Sequence, residues 1–186
     1  KLKETSAASA DTAAHGQLWV KTASPCELHF TNDTGNDIRI PGGSILHMQD
    51  QKSNGSNGGS GGQQSWAYKR DINTIVTDEI GTTLSANTFT LPKGTYHIYA
   101  NSTFMATNGC RIKLYNETDS SNVLLSMTGL TNNAGYYANV PVILTGRFSI
   151  TATKTFSLRY YIYQAYHYRL GFDSHTGEIE IYTDII

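Results

Sequence analysis

The side chains in this chain that could do acid–base or metal chemistry are six histidines and a few carboxylates. Zinc requires three or four converging nitrogen, sulfur or carboxylate ligands, and no local spacing here supplies them. Glu178 and Glu180 share one face of a predicted strand, so they point the same way and do not flank a glycosidic bond. The pair Ser174-His175 lacks the context of a nucleophile elbow. The sequence therefore predicts no enzyme activity, no metal site and no cofactor. One alternative stays open, in which a symmetric assembly gathers three copies of one histidine around a metal.

A tyrosine-rich segment, residues 154–168, is the clearest structural signal, because its side chains alternate between two faces with period two. This alternation predicts a long strand whose outward face carries Tyr161 and Tyr163. The closing strand is predicted to add Tyr182 and Ile186 to the outward surface. Exposed tyrosines are typical of protein interfaces, so these four residues predict a contact between copies of the chain, with stacking against sugar rings as the alternative. The residues of the segment predicted to face the core are Phe156, Leu158, Tyr160 and Ile162.

The composition of the 186-residue chain excludes several classes of function. Its formal net charge is −1, so it lacks the basic field that holds nucleic acid. No apolar run approaches the ~20 residues that a membrane-spanning helix needs. The chain is rich in glycine, serine, threonine and asparagine, and no helical period of 3.6 residues persists. The sequence therefore predicts an all-β protein.

These patterns divide the chain into four predicted segments. Residues 1–15 form an N-terminal arm, and residues 16–50 form a β-meander that is too small to fold alone and leaves Trp19 exposed without a partner. Residues 51–64 form a Gly/Ser-rich linker, and residues 65–186 form an antiparallel jelly-roll sandwich. The predicted strands of the sandwich are 66–68, 74–77, 88–91, 95–106, 111–115, 123–127, 140–151, 154–166 and 178–186, the last with Ile179, Ile181 and Ile185 facing inward.

The predicted sandwich resembles a known family. The stretch TFTLPKGTYHIYANSTF (residues 88–104), the later VILTGRFSITATKTFSLRYYI and the closing EIEIYTDII resemble the C1q/TNF-like jelly roll, in the form found in bacteriophage and bacterial fibre tips. The resemblance covers about two thirds of the chain. It implies a jelly-roll knob whose final strand runs into a trimer core. The residues that match the turn-and-strand pattern of the family are Phe89, Pro92, Gly94 and Tyr96.

A second segment, DTAAHGQLWVKTASPCELHFTNDTGNDIRI (residues 11–40), resembles a module that recurs in phage virion proteins. The pattern of that module is G-Q-x-W-V…P…L-x-F-T-x-D-x-G-x-D, and this chain departs from it at His15, where a tyrosine- or glycine-like position is more usual. The resemblance implies an anchoring or connecting segment of a trimeric virion appendage, with Trp19 and Phe30 in the anchoring contact. The residues that fit are Gly16, Gln17, Trp19, Val20, Pro25, Leu28, Phe30, Thr31, Asp33, Gly35 and Asp37.

The two resemblances and the strand pattern predict a homotrimeric phage virion protein, a fibre or spike knob for host attachment that is assembled in the bacterial cytoplasm. Its predicted partners are other virion proteins through the N-terminal segment, and a host-surface glycan is left open; nucleic acid and membrane insertion are excluded. The alternatives are a capsid decoration or head-fibre protein that stabilises the shell, and a secreted C1q-like carbohydrate-binding module. Recognition is expected in the loops 107–109, 119–122, 129–139 and 166–176, and the residues predicted to read a receptor are Asn132, Asn133, Tyr136 and Tyr137.

Overall fold

The computed structural model describes residues 4–9, 15–22, 27–32, 34–39, 44–130, 139–164, 170–174 and 176–186. These ranges contain strands, turns and bends, and none of them holds a helix long and apolar enough to span a membrane. The chain divides into two compact units, Lys1–Ser44 and Ile45–Ile186. The all-β fold class that the sequence predicts is confirmed.

The N-terminal unit is a small sheet whose strands follow each other in chain order. The turn between its last two strands is built by Asn32, whose Oδ1 accepts hydrogen bonds from the backbone N–H groups of Thr34 (3.1 Å) and Asn36 (2.8 Å). Gly35 in this turn has φ of +78°, a left-handed conformation that glycine adopts without steric cost. The strands are β1 (Glu4–Thr5), β2 (Gln17–Lys21), β3 (Glu27–Thr31) and β4 (Asp37–Arg39), with β1 parallel to β2 and the other pairs antiparallel.

The second unit is built from two five-stranded antiparallel sheets. Its strands are β5 (Leu46–Lys52), β6 (Thr74–Asp78), β7 (Leu84–Ser85), β8 (Thr88–Leu91), β9 (Gly94–Met105), β10 (Cys110–Asn116), β11 (Ser121–Leu125), β12 (Asn139–Ile150), β13 (Lys154–Ile162) and β14 (Glu180–Ile185). The first sheet has the strand order β11-β10-β13-β8-β7, and the second sheet has the order β12-β9-β14-β5-β6.

The two sheets share one hydrophobic core, which makes this unit a β-sandwich. Aromatic rings from the second sheet contact rings from β13 in the first sheet. The ring centroids of Phe104 and Tyr160 are 6.2 Å apart, and those of Phe148 and Phe156 are 5.7 Å apart. The alternation predicted for β13 is confirmed, because its core-facing side chains are all at most 3% exposed. These side chains are Phe156, Leu158, Tyr160 and Ile162.

The last strand, β14, differs from the prediction because a β-bulge interrupts its alternation. The register between β14 and β5 shifts between Ile181 and Thr183. A bulge places two successive residues opposite one on the partner strand, and here Tyr182 and Thr183 are both buried, at 3% and 1% exposed. The predictions that Ile179 and Ile181 face inward and that Tyr182 faces outward are therefore wrong, whereas Ile185 is buried as predicted.

The predicted linker and the boundary before it also need correction. Residues 46–52 form β5 between β14 and β6, so they belong to the sandwich and not to the N-terminal meander. The Gly/Ser-rich stretch 51–64 packs on the same unit, where the N–H of Gly58 donates to the carbonyl of Gly171 (3.1 Å). A Cβ atom at Gly58 would lie 2.3 Å from the carbonyl oxygen of Leu170, so this close approach requires glycine.

Most of the other predicted strands are present with ends shifted by a few residues. The exception is the segment 66–68, where residues 66 and 67 form a turn. Only Lys69 after it pairs with Arg159, as an isolated bridge. The strands β1, β5 and β7 were not predicted. Short or polar strands carry a weak period-two signal, which explains why the sequence pattern misses them.

Candidate functional site

The residues predicted to form one trimer interface lie on different parts of the sandwich. Tyr161 lies on β13 in the first sheet, half-buried, with its ring 5.4 Å from that of Trp66. Tyr163 follows β13 and is 59% exposed. Ile186 follows β14 in the second sheet and is 49% exposed, whereas Tyr182 is buried in its own chain. The structure therefore does not join these four residues into one surface.

The outward face of the first sheet is occupied by contacts within the chain. The Lys113 ammonium lies 4.5 Å from the ring centroid of Trp66 and 5.0 Å from that of Tyr115. The Arg159 guanidinium lies 3.6 Å from the centroid of the Tyr115 ring, and its Nη2 donates to Glu117 at 2.8 Å. These cation–π and ionic contacts place charge where the sequence predicts an aromatic interface.

Glu117 organises the charges on this face. Its carboxylate accepts hydrogen bonds from Ser157 Oγ (2.6 Å) and Arg159, and it lies 3.3 Å from the Lys69 ammonium. Partial burial alone raises the pKa of Glu117, but the hydrogen bonds from these three residues outweigh it, so the pKa lies below its ordinary value. The face is thus a network of satisfied charges, which favours solvent exposure over an apolar contact.

The outward face of the second sheet carries four exposed apolar side chains, here called the second-sheet patch and defined as Tyr99, Ile143, Ile181 and Ile186. Each of these side chains is between 41% and 49% exposed. Tyr99 and Ile186 are directly opposed, and each donates its backbone N–H to the carbonyl oxygen of the other at 2.8 Å. Ile143 lies opposite Asn101 and is therefore a diagonal neighbour of Tyr99. Clustered apolar side chains of this kind are typical of a surface that is buried in an assembly.

Polar side chains at the centre of the patch are only partly satisfied within the chain. The Oδ1 atom of Asp184 lies 2.6 Å from His47 Nε2 and accepts a hydrogen bond from Gln49 Nε2 at 2.8 Å. Asn101 lies opposite Asp184, and its Oδ1 is inaccessible to solvent and has no hydrogen-bond partner among the described residues. A buried acceptor without a donor costs about 1–3 kcal/mol. Asn101 also lines a hollow of about 60 Å³ beside Ile181.

A fully buried arginine fixes the bulge that turns Ile181 outward. Arg70 donates to the carbonyl oxygen of Tyr182 (2.8 Å) and to the hydroxyl of Thr183 (2.9 Å), the two residues at the bulge. Burial removes water from the guanidinium and lowers the pKa of Arg70 to about 10, so the group stays protonated at neutral pH. Arg70 thereby holds the β14 backbone in the conformation that exposes Ile181 on the second-sheet patch.

Tyr99 and Ile143 were not identified as interface residues from the sequence. The alternation that places their neighbours Ile98 and Val142 in the core also places these two side chains outward. An apolar side chain at an outward position of an antiparallel strand is the signal that identifies them. The predicted receptor residues Asn132, Asn133, Tyr136 and Tyr137 lie outside the described residues.

Trp19 in the N-terminal unit is an internal residue, so the prediction that it stays exposed is wrong. Its side chain is 7% exposed, and its ring lies 5.0 Å from that of His29. The indole Nε1 donates to Thr31 Oγ1 (2.8 Å), and this hydroxyl donates to Asp37 Oδ1 (2.6 Å). These hydrogen bonds join β2, β3 and β4. Trp19, Thr31 and Asp37, which all belong to the phage-module pattern of residues 11–40, therefore hold the meander together.

The other face of the N-terminal sheet carries an exposed apolar row. Leu18, Phe30 and Ile38 lie opposite one another in register and are 51%, 38% and 51% exposed. The Phe30 ring also covers Gly16, where a Cβ atom would lie 2.3 Å from it. Phe30 is thus accessible for the predicted anchoring contact, and Leu18 and Ile38 extend the surface on either side.

No protein-family model matches the sequence, and no curated protein is significantly similar to it. Among the residues that the structure describes, no group of three or more His, Cys, Asp or Glu side chains is placed to hold a metal ion.

Proposed function

We propose that this chain is a non-enzymatic structural protein of a bacteriophage virion, a homotrimeric fibre or spike knob that serves host attachment. The observation that carries the proposal is the second-sheet patch, whose four apolar side chains are each between 41% and 49% exposed. Burial of this patch against another copy of the chain removes apolar area from water, which stabilises the assembly by about 25 cal/mol per Å². In an assembly with closed symmetry every copy buries the same surface, which favours a homo-oligomer.

The order of the strands supports a jelly-roll knob. If β5 and β8–β14 are numbered 1 to 8 along the chain, their order is 6-3-8-1 in the second sheet and 5-4-7-2 in the first. All successive strands except 4 and 5 therefore lie in different sheets. Interleaving of this kind arises when two Greek keys form one double-sheet sandwich. The resemblance of residues 88–104 and the later strands to the C1q/TNF-like family implies the same topology and a trimer.

The N-terminal unit supports the virion role through its resemblance to a module of phage virion proteins. The motif residues Trp19, Thr31 and Asp37 are hydrogen-bonded to each other and specify the small sheet. The sheet in turn presents the exposed apolar row that contains Phe30. Such a row suits contact with another virion protein, because a solvated sheet face is normally polar.

The oligomeric state tests the assembly part of the proposal. Light scattering of the purified full chain should give three times the 20.4 kDa chain mass. Ile143→Asp should dissociate the trimer, because an unpaired charge buried in an interface costs several kcal/mol. Met127→Asp is the matched control, since Met127 is 86% exposed and lies outside the patch. A wild-type chain that is monomeric at micromolar concentration would refute the assembly.

The position of the chain in the particle tests the virion part. Antibody labelling of intact phage particles, imaged by electron microscopy, should place the chain at the distal end of an appendage. Labelling distributed over the capsid shell would instead favour a decoration protein that stabilises the head. Particles that carry no label would overturn both interpretations.

A further inference from the structure

A polar groove lies between the edge strands β11 and β12, where the β10–β11 turn meets the β12–β13 turn. Its volume of about 430 Å³ falls within the range of small-ligand sites, which is about 300–1,000 Å³. Phe148 and Val123 supply apolar lining, and Asp119, Asn122 and Lys154 supply polar lining. The groove belongs to the described part of the predicted recognition loop 119–122.

The carboxylate of Asp119 is held in place before any ligand arrives. Its Oδ1 accepts a hydrogen bond from Lys154 Nζ (2.6 Å), and its Oδ2 accepts one from Asn116 Nδ2 (2.9 Å). The backbone N–H of Asp119 donates to Asn116 Oδ1 at 3.0 Å, and Asn116 itself is buried. Groups that are already fixed lose less conformational freedom on binding. Because Lys154 neutralises Asp119, the side chains that line the groove carry no excess charge, which favours an uncharged ligand in the groove.

A second hollow adjoins the groove and adds an aromatic ring. It has a volume of about 140 Å³ and is lined by Trp66, Lys113, Asn122 and Leu125. Asn122 lines both depressions. Its Oδ1 accepts a hydrogen bond from Lys113 Nζ at 2.7 Å, which leaves its amide N–H groups to donate to a ligand. The two depressions therefore adjoin at Asn122.

We infer that the groove and the hollow together bind a neutral oligosaccharide, with one sugar unit in each. A sugar presents hydroxyl groups that both donate and accept hydrogen bonds and a C–H face that packs on aromatic rings. Asp119 accepts from hydroxyl groups and Asn122 donates to them. The apolar contacts come from the parts of Phe148 and Trp66 that line the depressions and are not covered by Phe156 and Lys113. The inference rests on the proposed attachment function for its biological role, and its residues lie outside the second-sheet patch.

The test is binding of the full chain to an array of neutral oligosaccharides built from glucose, galactose, mannose and N-acetylglucosamine, beside sialylated and phosphorylated glycans. At least one neutral glycan should bind. Asn122→Ala and Asp119→Asn should each weaken that binding, measured by titration calorimetry, by about tenfold, which is the effect of one lost hydrogen bond. Ser85→Ala is the control, because it removes an exposed hydroxyl from β7 at the opposite edge of the first sheet and should leave the affinity unchanged.

A spectroscopic measurement on the wild-type sequence keeps the test independent of how the variants fold. The chain contains 2 tryptophans, so incorporation of 5-fluorotryptophan gives one fluorine resonance each for Trp66 and Trp19. The bound glycan should shift the Trp66 resonance and leave that of Trp19 in place. Absence of binding to every neutral glycan, binding of charged glycans alone, or an unshifted Trp66 resonance would overturn the site. A trimer that binds none of the neutral glycans overturns only the saccharide site, and a monomer that binds one overturns only the assembly.

Discussion

Replacement of Arg70 by methionine should destabilise the sandwich strongly, because four acceptors depend on one guanidinium. Arg70 donates to Tyr182 O, Thr183 Oγ1, Leu170 O and Thr103 O at 2.8, 2.9, 3.2 and 3.3 Å. Hydrogen bonds from a charged group contribute about 1.5–3 kcal/mol each, so the two short ones alone represent about 3–6 kcal/mol. Methionine avoids the cost of burying a charge, which offsets part of this loss. We expect a net decrease of about 3 kcal/mol in the free energy of unfolding.

Differential scanning calorimetry of the full chain measures this effect. A loss of about 3 kcal/mol corresponds to a decrease of roughly 10 °C in the melting temperature of a unit of this size. Arg70→Lys, which keeps the charge but has only three donors and no planar fork, should lie between the wild type and Arg70→Met. Arg147→Met removes an exposed arginine and should change the free energy of unfolding by no more than about 0.5 kcal/mol. If Arg70→Met melts within a few degrees of the wild type, the buried hydrogen bonds do not hold the bulge and the reasoning fails.

Two further predictions concern stability. Glu117→Gln should be less stable than the wild type at neutral pH. The folded-state pKa of Glu117 lies below its ordinary value of 4.5, so the ionised carboxylate stabilises the fold above pH 4.5. This stabilisation is lost as the pH falls through the lowered pKa. In urea titrations, the difference in the free energy of unfolding between the wild type and Glu117→Gln should therefore become smaller in acid. The control Glu178→Gln, at an exposed carboxylate, should unfold with the same free energy as the wild type. A difference for Glu117→Gln that is constant with pH would contradict the network. Gly58→Ala should destabilise the sandwich, because its Cβ would meet the Leu170 carbonyl oxygen, and Ser60→Ala in the same stretch should not. Equal melting temperatures for these two variants would mean that the Gly/Ser-rich stretch does not pack as described.

The amino-acid sequence by itself determined the fold class and the core face of the regular strands. In β13 the alternation around Tyr160 predicts the four core-facing residues, because the period of two is a property of a single extended strand. Ser157 on the opposite face is also buried, which the alternation does not predict. The same holds for Ile98 on β9 and Val142 on β12. Local turn chemistry at Gly35 likewise needs no distant contact. Such features follow from neighbouring residues alone, so a sequence pattern is sufficient to predict them.

Only the tertiary structure decided which surfaces are open and which are covered. The bulge at Tyr182 depends on the pairing of β14 with β5, more than a hundred residues away, and on Arg70 beneath it. Trp19 is buried because Thr31 and Asp37 come together with it across three strands. The small number of apolar residues in this segment did not indicate that burial. The stretch around Gly58 has the composition of a free linker and nevertheless packs on the sandwich. Register shifts and packing of loops arise from contacts between distant residues, and the local period of a sequence carries no record of them.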